Sequence, residues 1–423
     1  MKIKEFNAGD KVKLSCKDKE WTGFILESYD SEIVLLKLDS GYNIGIRESE
    51  ILNAKIIEKA KEKAEKKVVL QEDKSLPNIA LIITGGTISS RLDPKTGAVI
   101  STDAEEILNI SPEVKKLCNI IKVEKPFMKW SENMAFEDWK ILAETVEKLV
   151  NDNSIKGVII THGTDFLHYT ASALSFFLRD LNKPVALTYS QRSIDRGSTD
   201  AALNLLCAAK YAISDIAEVA LIGHKDLNDN VCSAMSGTKV RKMHTSRRDA
   251  FKIVNDTPLA EISETDFKIL KNFNARNSGK TKLDAVYNDK IALVQIYPGQ
   301  DPDILNYYQE KGYKGLVLEI TGIGQVPAQD AKFNFLPKIK KLVEAGIVVC
   351  ATPQTIFGRL NPKVYSAGRD LEKTGIIFLG DCLPETAFTK LAWVLAHKQW
   401  NKKEKMLENI SGEFNTKLMF NDL

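Results

Sequence analysis

Metal and membrane signatures are missing from this chain. Its six cysteines (Cys16, Cys118, Cys207, Cys232, Cys350 and Cys382) are scattered without a C-x-x-C pair, and no Cys/His cluster has zinc-ligand spacing. No metal site is therefore expected. Several cysteines lie in apolar segments and read as small buried hydrophobes, a usage that fits a reducing compartment. No apolar run approaches the roughly 20 residues of a membrane-spanning helix. The N-terminal MKIKEFNAGDKVKL has no apolar core of a signal peptide. The expectation is a cytoplasmic protein with no membrane partner. An excess of either charge is missing too. A net charge of +3 over 423 residues neither requires nor excludes a nucleic-acid partner, because a local basic patch matters more than the total. With 43% hydrophobic and 27% charged residues, the chain can build a sizeable core. Its length suits more than one domain.

Residues 1–53 alternate short apolar and polar runs, with turn signals at Gly9-Asp10, Lys17-Asp18, Tyr29-Asp30-Ser31 and Ser40-Gly41. Four or five short strands resembling an SH3-like or Tudor-like β-barrel are expected. Residues 54–77 include KIIEKAKEKAEKK, a mixed-charge stretch of helix formers with a thin apolar stripe at Ile57, Ala60 and Ala64, expected as a charged helical linker. From Asn78 the pattern is α/β. NIALIITGG, KGVIITHGTD, KPVALTYSQ and EVALIGH read as buried strands. Helices are expected over Thr102–Cys118, where Thr102 and Glu105 form a capping box, and over Phe136–Val150, Tyr169–Leu181 and Asp200–Ser214. Continuous apolar strands alternating with helices imply a mostly parallel sheet covered on both faces. Such a first domain spans 78–271, an interdomain loop 272–285, and a smaller α/β domain 286–423 that ends in an apolar helix over Pro384–Asn401.

Two strands run into Gly-flanked threonines. Thr84-Gly85-Gly86-Thr87-Ile88 and His162-Gly163-Thr164-Asp165 each expose a hydroxyl where a strand ends, the end at which parallel sheets bind ligands. A hydroxyl nucleophile needs a base and a group to orient it. The segment SGTKVRKMHTSRRDAF offers Lys239, Lys242 and His244 with Arg241, Arg247 and Arg248. Lysine is protonated in water, but burial and neighbouring cations lower its pKa and let it act as a base. Each residue has a plainer reading. Thr87 and Asp165 could cap helices, His162 and His244 could be satisfied structural groups, and the other cations of the lysine segment could be packing or surface charges.

Taken together, the three motifs resemble the bacterial-type L-asparaginase/glutaminase family over roughly residues 78–400. The resemblance implies an α/β, asparaginase-like two-domain body with mostly parallel sheets behind the small barrel. It implies Thr87 as nucleophile toward a side-chain amide, and a Thr164–Lys242–Asp165 triad. Gly86, Gly163, Ser131 and Glu132 (the latter two in KWSENMAF) would lie at the substrate. Asp165, Ser131 and Glu132 would hold its α-amino and α-carboxylate groups. That family carries a tyrosine in the loop after its first motif, where this chain has SSRLDPKTGAVIST without one. The barrel and charged linker add a resemblance to the D-type subunits of archaeal glutamyl-tRNA(Gln) amidotransferases. In that family, the D-type subunit releases ammonia from glutamine or asparagine. The E-type subunit binds the tRNA(Gln), phosphorylates its misacylated glutamate with ATP and Mg, and uses the ammonia. This implies a homodimer joined to two copies of the E-type partner, with no cofactor in this chain. A free-standing cytoplasmic asparaginase and a non-catalytic binding protein on the same scaffold are the alternatives.

Overall fold

The computed structural model describes residues 6–7, 9–26, 28, 30, 32–38, 43–59, 73–92, 99–101, 104–194 and 198–417. Five antiparallel strands, Lys11–Cys16, Glu20–Leu26, Ile33–Leu38, Asn43–Arg47 and Ile51–Glu58, form the N-terminal module in the order fourth, third, second, first, fifth. Alternation turns Val12, Leu14, Val34 and Leu36 onto its core with Ile25, Ile46 and Ala54. The last strand corrects the sequence expectation. Residues 54–58, expected to begin a linker helix, continue a strand, and Ala54 stands opposite Leu14. Pairing with the first strand overrides a helical propensity worth only tenths of a kcal/mol per residue. Residues 60–72 of the expected helix, including Ala60 and Ala64, lie outside the described residues.

The main sheet has eight strands. Across it run Phe267–Ile269, Ala260–Ser263, Val231–Ser236, Val219–His224, Val185–Thr188, Val158–Thr161, Asn78–Ile83 and Asn119–Glu124. The last five are mutually parallel, and the first three add antiparallel at one edge. Within Asn78–Ile83, Ala80 and Ile82 face helices Phe136–Val150 and Leu167–Phe177, while Ile79, Leu81 and Ile83 face helix Ala201–Ile213. Burial on both faces explains why these strands read as unbroken apolar runs. The second domain is a four-stranded parallel sheet of Ile291–Gln295, Gly315–Ile320, Val348–Pro353 and Ile377–Phe378, packed against helix Leu336–Glu344 on one side.

Other expectations change in detail. The helix predicted over Thr102–Cys118 is two pieces, Ala104–Asn109 and Val114–Leu117. Pro112 supplies no amide hydrogen and disfavours helical backbone at Ser111. Thr102 of the proposed capping box lies outside the described residues. The helix expected over Tyr169–Leu181 runs Leu167–Phe177, and Leu178–Arg179 then pairs with Lys282–Leu283. The latter pair falls in the segment read as an interdomain loop. That segment is stitched to the first domain: the Ala217 amide donates to the Asn274 carbonyl (2.8 Å) and the Arg276 amide to that of Asp215 (2.8 Å).

Helix Pro384–Ala396 joins the two domains. It lies in the same core as Leu167–Phe177, with Trp393 stacked on Phe176 and the Ser172 and Thr389 hydroxyls 2.6 Å apart. A buried ion pair adds a second tie. Lys239 Nζ donates to Asp381 Oδ2 at 2.6 Å, and both side chains are buried. Lys239 is therefore an interdomain anchor. Breaking one half of such a pair strands a buried charge. Lys239→Met is expected to lower unfolding free energy by about 3–5 kcal/mol, while Lys239→Met with Asp381→Leu recovers most of the loss. Denaturant unfolding of both variants checks this.

Candidate active site

The strands Asn78–Ile83 and Val158–Thr161 are adjacent and parallel, with Ile83 opposite Thr161. The two threonine motifs therefore leave the sheet side by side at its carboxyl edge. The Thr84 amide and hydroxyl both donate to the Thr161 carbonyl, at 3.1 and 2.9 Å. The chain then turns sharply through Gly85 (φ +112°) and Gly86 (φ +77°), both left-handed. A Cβ on Gly86 would stand 2.3 Å from Gly163 Cα, and one on Gly163 would stand 2.7 Å from Ser131 Oγ. Glycine is required at Gly86 because backbone meets backbone there, and at Gly163 because the Ser131 side chain fills the space. Thr87 and Thr164 each follow one of these touching glycines. Thr87 is half-buried and opens a 3₁₀ turn, Thr87–Ser89, whose cap is Gly86.

A third loop packs beneath. The Lys129 amide donates to the Thr84 carbonyl at 2.9 Å, and Ser131 Oγ accepts from the Asp165 amide at 3.0 Å. Lys129 Nζ and the Ala135 amide both donate to the Asp138 carboxylate, which fixes this loop to the start of helix Phe136–Val150. Ser131 is buried and supports the Gly163–Asp165 turn, while Glu132 is exposed on the same turn of chain. Residues 93–98 of the segment after the first motif lie outside the described residues. Ser90–Leu92 pairs with Val99–Ser101 on either side of them.

Lys242 ends the short strand Val240–Lys242, paired with Phe251–Ile253. Its Nζ donates to Thr164 Oγ1 at 2.8 Å and to Asp165 Oδ1 at 2.9 Å. The lysine side chain is largely buried and the aspartate more than half exposed. Three of the sequence-predicted residues are thus joined directly, and Thr87 is brought alongside by the glycine contact. With one proton removed, the Lys242 nitrogen would present a lone pair to the Thr164 hydroxyl while Asp165 keeps hold of a remaining N–H. The arrangement suits proton transfer at a hydroxyl.

The other singled-out groups are structural. His162 is fully buried, with Nδ1 2.6 Å from the Gly163 carbonyl and Nε2 3.0 Å from Thr170 Oγ1, which also accepts from Trp139 Nε1. Burial holds its pKa down to about 4, so the ring is neutral near pH 7. His244 is exposed, and its Nδ1 accepts from the Ser246 and Arg247 amides. Arg247 binds Asp249 through two bonds of 2.9 Å, and Arg248 pairs with Asp229. Two buried groups that sequence did not single out, His168 and Glu385, lie beside Arg241 behind the site. No local signal marks them, since Glu385 arrives from the second domain. Among the described residues no cluster of three His, Cys, Asp or Glu side chains could hold a metal ion.

Comparison with known proteins agrees with this layout. Residues 78–274 match the family described as "Asparaginase, N-terminal", 290–407 the "Glutaminase/Asparaginase C-terminal domain", and 6–57 the "GatD N-terminal domain". The chain is 43% identical to the D-type subunit of the glutamyl-tRNA(Gln) amidotransferase of Pyrococcus furiosus, over 98% of this chain and 96% of that protein. It is 40% identical to the protein of the same name from Methanococcus maripaludis, over 96% and 98%. Among solved structures it is similar to the thermostable L-asparaginase from Thermococcus kodakarensis, with a TM-score of 0.73 and 27% identity, covering 80% of this chain and all of that one. L-asparaginase I from Vibrio cholerae gives 0.68 and 28%, covering 80% and 99%.

Two outcomes follow from the geometry. Gly86→Ala must displace Gly163 as well as adopt a positive φ, so it is expected to destabilise by about 2–4 kcal/mol. Gly299→Ala, also at positive φ (+79°) but in open space, is expected to cost only about 1–2 kcal/mol. Denaturant midpoints compare them. The second outcome concerns pH. Burial depresses His162 from 6.5 to about 4, and burial with the Arg241 and Lys242 charges depresses His168 to about 3. Below pH 6.5 the unfolded chain binds protons that the folded chain does not, so stability falls on acidification. The loss runs from pH 6.5 down through these folded values, and at pH 5 amounts to about 2 kcal/mol per histidine. The raised pKa values of half-buried Glu319 and buried Glu385 act in the opposite sense. Melting temperatures at pH 7 and pH 5 are expected to differ less in His162→Gln than in the unsubstituted chain.

Proposed function

The chain belongs to the family of D-type subunits of glutamyl-tRNA(Gln) amidotransferase, and from that membership we propose that it is a glutamine-hydrolysing amidotransferase subunit. It is an amidohydrolase that frees ammonia from a side-chain amide for a partner protein in a tRNA-dependent complex. One observation carries the chemistry: Lys242 Nζ is held between Thr164 Oγ1 and Asp165 Oδ1, on a loop whose glycine touches the one that presents Thr87.

In this reading Thr87 Oγ attacks the carbonyl carbon of the amide, and its proton passes to the Thr164–Lys242 pair. The developing oxyanion meets backbone N–H groups of the glycine-rich turns, fixed before the substrate arrives. The carbon–nitrogen bond breaks, the nitrogen takes up a proton and leaves as ammonia, and an ester remains on Thr87. Water adds to that ester, releases the acid and restores the hydroxyl. The more exposed Asp165 carboxylate, together with that of Glu132, receives the substrate's α-amino group. Ser131 accepts the Asp165 amide and has its own O–H to donate to the α-carboxylate. Gly86 and Gly163, whose contact holds the two turns together, would lie at the substrate.

The finer assembly belongs to the same proposal. The partner is the amidotransferase's E-type subunit, two copies joined to a homodimer of this chain, and tRNA(Gln) is held mainly through that partner. ATP is consumed there with the help of Mg, and this chain needs no cofactor of its own. The setting is the cytoplasm. Among the described residues, no helix is long and apolar enough to cross a membrane.

A free-standing L-asparaginase is the second reading, favoured by the structural likeness to two enzymes of that name. The N-terminal module speaks against it, because those structures cover only 80% of this chain. A non-catalytic binding role would leave the Lys242 contacts without use. Ammonia release should be measured from glutamine and from asparagine, with and without the co-purified E-type partner and glutamyl-tRNA(Gln). The expected result is release that rises when partner and charged tRNA are present, and that falls about 10³-fold or more in Thr87→Ala and Lys242→Met. An isolated chain that hydrolyses asparagine as fast as the full complex does would favour the free-standing enzyme. Unchanged hydrolysis by Thr87→Ala would favour a non-catalytic scaffold. Preference between the two amides rests on one methylene, worth about 1–3 kcal/mol.

A further inference from the structure

Glu385 is the second residue of helix Pro384–Ala396 and is only 6% exposed. It belongs to the second domain, yet its Oε1 reaches two segments of the first. It stands 3.0 Å from Arg241 Nε and 3.8 Å from His168 Nε2. Arg241 is the residue before Lys242. His168 lies on the first turn of helix Leu167–Phe177, three residues after Asp165. One carboxylate oxygen therefore faces the lysine-bearing strand and the helix that follows the threonine motif. Lys242 Nζ joins the same strand to Thr164 and Asp165, in the turn that leads into that helix.

Strand geometry converts this contact into an orientation. Successive side chains of a strand point to opposite faces, so within Val240–Lys242 the Arg241 and Lys242 side chains leave in opposite directions. Holding Arg241 from behind fixes the roll of the strand about its axis, and that roll sets where Lys242 points. The hairpin itself is short: Val240–Lys242 pairs through three residues with Phe251–Ile253, with one further backbone bond at each end. The cluster is also incompletely paired. Glu385 Oε2 and His168 Nδ1 are buried without a hydrogen-bond partner, an arrangement that costs free energy. Glu319, on the adjacent strand Gly315–Ile320, and Tyr169 complete the titratable groups around it.

We propose that Glu385 is a positioning residue of the amide-hydrolysing site: through Arg241 and His168, the second domain aims Lys242 at Thr164 and Asp165. This rests on the hydrolase reading for its kinetic consequence but not for its geometric one. Misplacing a reacting group by about 1 Å costs on the order of 10²-fold in rate.

The test uses the full chain in complex with its partner. Glu385→Gln retains volume and an acceptor for Arg241, whereas Glu385→Ala removes both. Ammonia release from glutamine is measured across pH, with thermal unfolding and crystal structures of both variants. In Glu385→Ala, kcat is expected to fall about 10²-fold with KM changed less than about 3-fold, and Lys242 Nζ to leave hydrogen-bond distance of Thr164 Oγ1. In Glu385→Gln the fall is about 10-fold or less, and the acid limb of the pH–rate profile moves to lower pH. The reason is that the Glu385 carboxylate no longer offsets the Arg241 charge behind the site. Variants that keep Lys242 on Thr164 and Asp165 and keep the parent's kcat and pH profile overturn the proposal. So does a loss of melting temperature with no change in profile or lysine position. Ammonia release that is absent already in the unsubstituted complex overturns the hydrolase reading instead, while the lysine position still decides this one.

Discussion

The backbones of Gly86 and Gly163 touch, and the candidate site depends on that contact. Neighbouring parallel strands end about 4.8 Å apart. A side chain at Gly86 would run into the Gly163 backbone, and one at Gly163 into Ser131. With none there, two loops pack as one body and bring the next residue of each, Thr87 and Thr164, to the same edge of the sheet. Ser131 closes the stack from below. Its Oγ stands 2.7 Å from where a Gly163 Cβ would be and accepts from the Asp165 amide. Three loops with separate sequence positions thus share one set of backbone contacts.

Around this contact the two domains divide the work. The first supplies both threonines, the aspartate and the lysine, on strand ends and a short hairpin. The second supplies no group to that set, but it reaches behind it. Helix Pro384–Ala396 lies in the core with Leu167–Phe177 and carries Glu385 to Arg241 and His168. The Lys239–Asp381 pair ties down the start of the same lysine segment from the second domain. Three residues apart, Lys239 and Lys242 have opposite fates. One is sealed in an ion pair between domains, and the other is open enough to serve chemistry.

Much of the site was legible because its signals are local. Glycine before threonine marks a sharp turn, apolar runs mark strands covered on both faces, and their order along the chain marks a parallel sheet. Asn78–Ile83 and Phe136–Val150 follow from such patterns alone. The misread elements are those where a distant partner decides. Residues 54–58 carry helix formers but pair with the first strand. Pro112 breaks a helix that periodicity would continue. Residues 282–283 sit in a polar stretch but find Leu178–Arg179.

Sequence by itself determined the fold class and the two threonine turns, because each rests on residue type and short spacing, while the choice of Lys242 came from the family resemblance. Only the tertiary structure decided which charges matter and how. Lys239 and Lys242 are indistinguishable as letters, and Glu385 is an ordinary acidic residue at a helix start. Their roles come from burial and from partners 142 residues away for Lys239 and 78 for Lys242. A charge acquires its function from the dielectric and the neighbours around it, and those exist only after the chain has folded.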